Sequence, residues 1–389
     1  MAELRVAMIG HAFMGGTHSV AWRTVNAAFD LPLTARMSVL CGRDAAKAAA
    51  AAEKLGWAEH ATDWRDVVTR DDVDLVDICT PGDSHAEIAL AALAAGKHVL
   101  CEKPLANSVA EARAMTSAAE AARANGVRSM CGFNYRRTPA VALMRQLVAD
   151  GRIGEIRHVR ARYLQDWIVD PQFPLVWRLQ RDKAGSGALG DIGAHIIDLT
   201  QFVTGQQITG VSALTETFVR QRPLVGASAG LAASSGAGTG EVTVDDAALF
   251  LARLDGGAIG TYEATRFATG RKNALQVEIN GSRGSVAFDF ERMNELQFHD
   301  ATVPAAEGGF TTILVTEPEH PYLAGWWPPG HPIGYEHTFT HEARDLMLAV
   351  AAGEDPTPSF ADALQVQLVL DAVERSAANA AGWTKVEPA

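Results

Sequence analysis

Over its first ~130 residues the chain alternates short apolar runs with alanine-rich stretches, and few folds accommodate that alternation. Residues 4–10, 37–41, 73–79, 97–101 and 128–132 read as buried strands. Residues from about 14, and then 44–55, 84–95 and 108–125, read as the helices between them, with Gly96 and Gly126 as natural helix stops. Strands that are apolar throughout and separated by helices imply a parallel sheet covered on both faces.

The pattern changes near residue 133. Residues 139–150 and 191–202 predict helices, and 156–165 a strand in which Val159, Ala161 and Tyr163 alternate with charges. Strand-like stretches follow at 210–219, 246–254, 258–264, 274–280, 284–289 and 295–298. Turns such as Asp255-Gly256-Gly257 make them antiparallel hairpins. Two helices, 334–352 and 360–381, complete the chain. Two segments stand apart. Residues 226–240 are rich in Gly, Ala and Ser and read as a flexible surface insertion. Residues 320–334 carry Tyr322, Trp326, Trp327 and several prolines and read as a loop without helix or strand. That loop fits either a cap over a sugar, whose apolar faces stack on rings, or a lid against a partner subunit.

Charge narrows the function classes. Lys and Arg total 34 against 46 Asp and Glu, a net charge of −12. Such a chain is a poor partner for nucleic acid or an anionic membrane surface. No apolar run approaches the ~20 residues that span a bilayer. Met1-Ala2-Glu3-Leu4-Arg5 leads straight into a strand, so a cytoplasmic protein without a signal peptide is expected. Cys41, Cys79, Cys101 and Cys131 lack metal-type spacing and are expected to be reduced and buried, and no metal site is expected.

The motifs that carry chemistry begin at Ile9-Gly10-His11-Ala12-Phe13-Met14-Gly15. A dinucleotide fingerprint places glycine at the first, third and sixth positions of this turn. Gly10 allows the tight turn, Ala12 is the smallest substitute where backbone approaches pyrophosphate, and Gly15 lets helix pack on strand. The helix start then presents its positive end to the phosphates. The second strand ends Cys41-Gly42-Arg43-Asp44. Gly42 stands where an NAD site usually has a ribose-binding acid, and Arg43 favours a 2′-phosphate. Asp44 fits either a ribose contact or a helix N-cap. NAD and NADP both stay open on these residues. Glu102-Lys103-Pro104 follows the fourth of the apolar runs above, at a strand end where open α/β sheets bind ligands. Asp191 and His195 lie four apart, on one helix face, after the glycine-rich 185–190 stretch. Histidine suits a base that takes an alcohol proton as hydride leaves carbon. Taken alone, the pair better fits an aspartate favoured by the helix dipole and a hydrogen-bonded core histidine. Asp198, on a neighbouring face, reads as structural.

The first glycine turn, Thr80-Pro81 with His85 beyond, Glu102-Lys103-Pro104, and Gly190-Asp191-Ile192-Gly193-Ala194-His195 together resemble the glucose-fructose oxidoreductase / inositol dehydrogenase / rhizopine catabolism (Gfo/Idh/MocA) family, over essentially the whole chain. The 134–143, 163–167 and 185–192 segments and the 358–362 ending resemble the anhydrosugar-oxidising group within it. The resemblance implies an α/β protein with an N-terminal Rossmann NAD(P)-binding domain at 1–132. A C-terminal α+β domain with a large open, mostly antiparallel sheet at 133–389 would serve substrate binding and oligomerisation. The implied activity is NAD(P)-dependent oxidation of a ring hydroxyl, at C3 of a pyranose or anhydrosugar. An inositol dehydrogenase, a redox-assisted glycoside-cleaving enzyme and a non-catalytic sugar sensor are the alternatives. NAD is narrowly favoured over NADP, and a homodimer or homotetramer is implied.

By the same resemblance Lys103, Asp191 and His195 are catalytic. Gly10, Ala12, Phe13, Met14, Arg43, Thr80, Pro81, His85, Glu102, Lys103 and Asn134 would bind cofactor. Lys103, Tyr135, Gln165, Trp167, Arg178, Asp191, His195 and Tyr335 would contact substrate. The bond before Pro104 is expected to be cis.

Overall fold

A run as apolar as residues 6–9 is stable as a strand only when both its faces are covered. In the computed structural model, which describes residues 2–229 and 232–389, this run is the centre of a parallel sheet. Among the described residues its strands are β1 (Ala2–Ile9), β2 (Leu33–Cys41), β3 (Glu59–Ala61), β4 (Leu75–Ile78), β5 (His98–Glu102) and β6 (Ser129–Gly132), in the order β3-β2-β1-β4-β5-β6. Helices α1 (Phe13–Ala28), α2 (Ala45–Leu55), α3 (Trp64–Val68), α4 (His85–Ala94) and α5 (Val109–Arg123) connect them. The order reverses at β1 and β4, whose carboxyl ends make the topological switch point. The short edge strand β3 and the five-residue α3 carry no apolar run and were not expected from the sequence.

The second unit begins with α6 (Pro139–Ala149), β7 (Ile156–Leu164), α7 (Arg181–Ala184) and α8 (Ala194–Thr204). Strands β8 (Ile208–Glu216), β9 (Gln221–Ala229), β10 (Ala232–Glu241), β11 (Ala247–Leu254), β12 (Ile259–Thr265), β13 (Ala274–Gly281), β14 (Gly284–Asp289), β15 (Glu295–Asp300) and β16 (Thr311–Leu314) follow. After α9 (Tyr335–Ala352) and α10 (Phe360–Ala378) the chain ends with β17 (Thr384–Lys385). The large sheet runs β16-β15-β14-β13-β7-β12-β11-β8-β17 and is antiparallel except where β12 meets β7. Its strands keep the expected alternation. In β7, Val159, Ala161 and Tyr163 are buried while Arg160 and Arg162 face outward. In β11, Leu249 and Leu251 are exposed, and Leu249 pairs across the strands with exposed Leu214.

Three expectations change. Residues 226–240 are largely paired strand, not flexible insertion, with residues 230 and 231 outside the described set. Small residues there serve close approach: a Cβ on Gly236 would fall 3.1 Å from the Gly226 Cα. Asp191 sits in a π-helical turn, Leu189–Gly193, that runs into α8, not in one continuous α-helix. Thirdly, helix α9, expected with the C-terminal domain, belongs to the first unit, which comprises residues 1–134, 228–232 and 335–364. Its buried Phe339, Ala343, Leu346 and Met347 share one core cluster with Trp22, Val25, Leu40 and Leu75. An amphipathic face signals burial but not which core receives it.

The 320–334 segment contains one 3₁₀ turn, Leu323–Gly325, and no other helix or strand. The four cysteines are free and buried. Burial pushes the Cys41 thiol up to about 11 and raises those of Cys79 and Cys101 as well. No helix among the described residues is long and apolar enough to cross a membrane.

Candidate active site

In the first unit the turn after β1 needs its glycines. Gly10 has φ +100°, and a Cβ there would lie 2.8 Å from the Cys79 carbonyl oxygen. A Cβ on Gly15 would lie 2.1 Å from the Gly10 oxygen. Ala12 is the extended N-cap of α1 and supplies no side-chain cap, and the first turn holds no acid. The opening amides of α1, at Phe13, Met14 and Gly15, therefore have no capping side chain, the condition under which a helix start holds phosphate. This cradle fits a dinucleotide. Phe13 is exposed, whereas Met14 packs against the core.

At the end of β2 the sequence left two questions. Asp44 caps α2, accepting from the Lys47 amide at 3.0 Å. Gly42 lacks a side chain for a packing reason the sequence did not reveal: a Cβ there would fall 2.3 Å from the His11 ring. The imidazole of His11 thus occupies the place of the usual acid, beside exposed Arg43.

The loops after β4 and β5 are braced together. His85, 1% exposed, has one ring nitrogen 2.9 Å from the Thr80 oxygen and the other 3.0 Å from the Pro104 oxygen. Ser84 donates to Thr80 Oγ1 at 2.8 Å, next to Pro81. Glu102 is buried at the end of β5, and its Oε2 accepts the Lys103 amide at 3.0 Å. Half-buried Lys103 follows, and the Lys103–Pro104 bond is cis as expected. Beneath them lies a cluster the sequence reading missed. His18 Nδ1 is 3.0 Å from both Asp77 oxygens, and Nε2 is 3.0 Å from Glu102 Oε1. Asp77, an acid inside the otherwise apolar strand β4, was the available signal. Asn134 and Tyr335 belong to this unit as well. Asn134 donates to Thr338 Oγ1 at 2.9 Å, and Thr338 donates to the Tyr335 carbonyl at 2.7 Å.

The second unit gathers the other residues. Tyr135 and Tyr163 hydroxyls meet at 2.6 Å, and Tyr163 donates to Asn273 Oδ1 at 2.6 Å. Gln165 also donates to that oxygen, at 2.8 Å, and accepts from the Trp167 indole at 3.0 Å. The buried His195 ring stands edge-on to Tyr135 at 4.7 Å. Tyr135, Gln165, Trp167 and His195 thus form one neighbourhood, with Asn273 as an unforeseen hub. A few residues away, Arg266 reaches Asp191 at 3.4 Å and the Arg178 carbonyl at 3.4 Å. The Arg266 side chain is fully buried whereas Asp191 is a quarter exposed, so the cation orients the carboxylate and leaves it open to solvent. Asp245 accepts from the Gly187 and Leu189 amides at 2.7 and 2.8 Å and pins the start of the π-turn. The guanidinium of Arg178 lies 4.3 Å from the Trp177 ring. Asp198 is structural, paired through both oxygens with buried Arg136.

This arrangement offers an uncapped helix start and a strand-end lysine in one unit, and a histidine among aromatic and amide side chains in the other. His18, Asp77 and Cys79 form a group with potential metal-ligand atoms within 4.8 Å. Both imidazole nitrogens there already face carboxylates at 3.0 Å.

Comparison with known proteins identifies the family. Residues 4–133 match the model for the oxidoreductase family, NAD-binding Rossmann fold, and residues 141–287 match the GFO/IDH/MocA C-terminal domain. The chain is 43% identical over 391 residues to levoglucosan dehydrogenase from Pseudarthrobacter phenanthrenivorans, covering 99% of each chain. A crystal structure of an oxidoreductase domain protein from Kribbella flavida is similar over all of both chains, with 63% identity and a TM-score of 0.95. The structure of a levoglucosan dehydrogenase in complex with NADH and levoglucosan covers 99% of each chain, with 42% identity and a TM-score of 0.93.

Proposed function

The chain belongs to the GFO/IDH/MocA oxidoreductase family, and on that premise we propose that it is an NAD-dependent dehydrogenase oxidising a ring hydroxyl of a pyranose or anhydrosugar such as levoglucosan. The full-length likeness to an enzyme solved with NADH and levoglucosan carries the reading. The first unit is the dinucleotide-binding part, with the opening amides of α1 taking the pyrophosphate. The second is the substrate part. NAD, when bound, supplies the acceptor for the hydride that leaves the ring carbon, for which C3 is the proposed position. His195 takes the hydroxyl proton as general base. Lys103 is proposed as a further catalytic group. Asp191, steadied by Arg266, holds a neighbouring hydroxyl, as do Gln165 and Arg178. Arg43 and His11 would hold the adenosine ribose end of the cofactor.

The outward face of the large sheet, with Leu214, Leu249, Leu251 and Ile259 exposed, supports a homo-oligomer built on that face. A cytoplasmic setting completes the proposal and accords with four free thiols.

The test is NADH and NADPH formation followed by absorbance, against levoglucosan, glucose, methyl glucosides and the inositols. Reduction of NAD with one pyranose, lowered ~10²-fold or more in Lys103→Ala, is the expected result. An inositol as the preferred substrate, or turnover that leaves no net NADH, replaces this reading with one of its alternatives.

A further inference from the structure

The His18 cluster has no part in the proposed chemistry, yet it touches the chain at Lys103. His18 lies on α1, little more than one turn after the uncapped amides of the glycine turn. It is 2% exposed, Asp77 0% and Glu102 4%. One ring nitrogen faces both Asp77 oxygens and the other faces Glu102, all at 3.0 Å. A neutral imidazole has a single N–H, so it would serve one carboxylate and turn a lone pair on the other. Only the imidazolium satisfies both.

The remaining acceptor positions are also used. The Trp22 indole donates to Asp77 at 2.7 Å, the Cys79 thiol lies 3.5 Å from it, and the Lys103 amide donates to the second oxygen of Glu102. The Phe339 ring of α9, 5.3 Å from His18, closes the cluster from water. The titratable groups facing the ring are therefore Asp77, Cys79 and Glu102. Burial opposes a charged His18, but the charges and hydrogen bonds of Asp77 and Cys79 together outweigh it, and the pKa stands well above its ordinary value. Burial likewise opposes the Glu102 charge, and the His18 hydrogen bond and charge hold that carboxyl below its ordinary value.

We propose that His18 is a positioning residue of the proposed dehydrogenase reaction: as a buried imidazolium it fixes the Glu102 carboxylate, which in turn fixes the main chain at Lys103. Through it one helix sets both the phosphate-facing turn and the strand end that carries the lysine. The inference rests on the proposed role of Lys103. Its physical core, the charge of His18 and the anchoring of the Lys103 amide, stands apart from the substrate's identity.

The test uses three forms of the full chain: parent, His18→Gln, and the double variant His18→Gln/Glu102→Gln. In the parent, nitrogen NMR of the imidazole shows both nitrogens protonated at pH values well above the free-histidine value of about 6.5. The single variant leaves the Glu102 carboxylate buried without its cation. It loses thermal stability, shifts the Lys103 amide resonance, and lowers kcat about tenfold or more while KM for the sugar changes far less. The double variant removes that stranded charge and keeps an acceptor for the Lys103 amide, so it regains melting temperature and part of kcat. A neutral His18 ring near neutral pH overturns the inference. So does a double variant no better than the single one, or a Lys103 resonance unmoved in His18→Gln. If the parent oxidises no sugar, the proposed function fails, while the NMR and melting measurements still decide the state and anchoring role of His18.

Discussion

The two units hold their functional side chains by opposite means. In the first, the segment carrying Lys103 is anchored by ions: an imidazole between two carboxylates, all nearly inaccessible to water. In the second, His195 stands among rings, and its neighbours are joined by neutral hydrogen bonds that converge on Asn273. Buried ions fix geometry strongly but leave an uncompensated charge when one partner is lost. Amide and phenol bonds are individually weaker and can be replaced by water at a partly open site. The first unit therefore suits a main chain that must stay in place, the second a surface that accommodates a neutral, many-hydroxyl ligand.

Removing one ion is the sharpest way to break this contrast. Asp77→Asn leaves His18 without its main counter-charge, and a loss of about 3–5 kcal/mol in unfolding free energy is expected by denaturant titration. The loss has a pH signature. The folded pKa of His18 is raised above 6.5, so its stabilisation is full below that value and fades as pH rises through the folded pKa. The folded pKa of Glu102 is depressed below 4.5, so its contribution is full above that value and is lost as pH falls through the folded pKa. The gap between parent and variant is thus widest between about 4.5 and 6.5 and closes toward alkaline pH. A gap that widens above neutrality refutes the ionic account.

Asn273→Ala tests the neutral network and is expected to cost less, about 1–3 kcal/mol, with no comparable pH dependence. Its larger effect falls on KM for the sugar, read from initial rates, because Gln165 and Tyr163 lose their common acceptor. A variant that melts as far below the parent as Asp77→Asn does erases the distinction between the units.

The smallest effect is expected at the adenosine end. Gly42→Asp restores the usual acid but drives its Cβ into the His11 ring. NAD affinity should therefore fall by about tenfold, ~1.4 kcal/mol, in a fluorescence titration, and His11→Ala in the same background should recover it. Tighter NAD binding by Gly42→Asp alone removes His11 from that position.

The same contrast governs what was legible in the sequence. Features written by neighbours along the chain were readable: the strand–helix alternation, Gly10 and Gly15 in the turn, and the alternation in β7. Features written by distant partners were not. His18 meets Asp77 and Glu102 across 59 and 84 residues, and Asn273 meets Tyr163 across 110. Only the oddity of an acid within Leu75-Val76-Asp77-Ile78 hinted at the first. The 226–240 stretch misled because glycine and serine suggest mobility when composition alone is weighed. Gly226 and Gly236 are instead small so that two strands can approach. Asp191 and His195 were singled out by spacing, whereas the π-turn beneath them depends on Asp245, more than fifty residues away.

The attachment of α9 to the first unit bears on how the protein is made. The core around Trp22 and Val25 takes Phe339, Leu346 and Met347 as its last wall, and these leave the ribosome some two hundred residues after β6. Until then the nascent chain carries a nearly complete parallel sheet with one apolar flank wet, a surface open to chaperones. A fragment ending at residue 132 inherits that flank permanently and would aggregate, whereas joining 335–364 to it by a short linker supplies the missing wall.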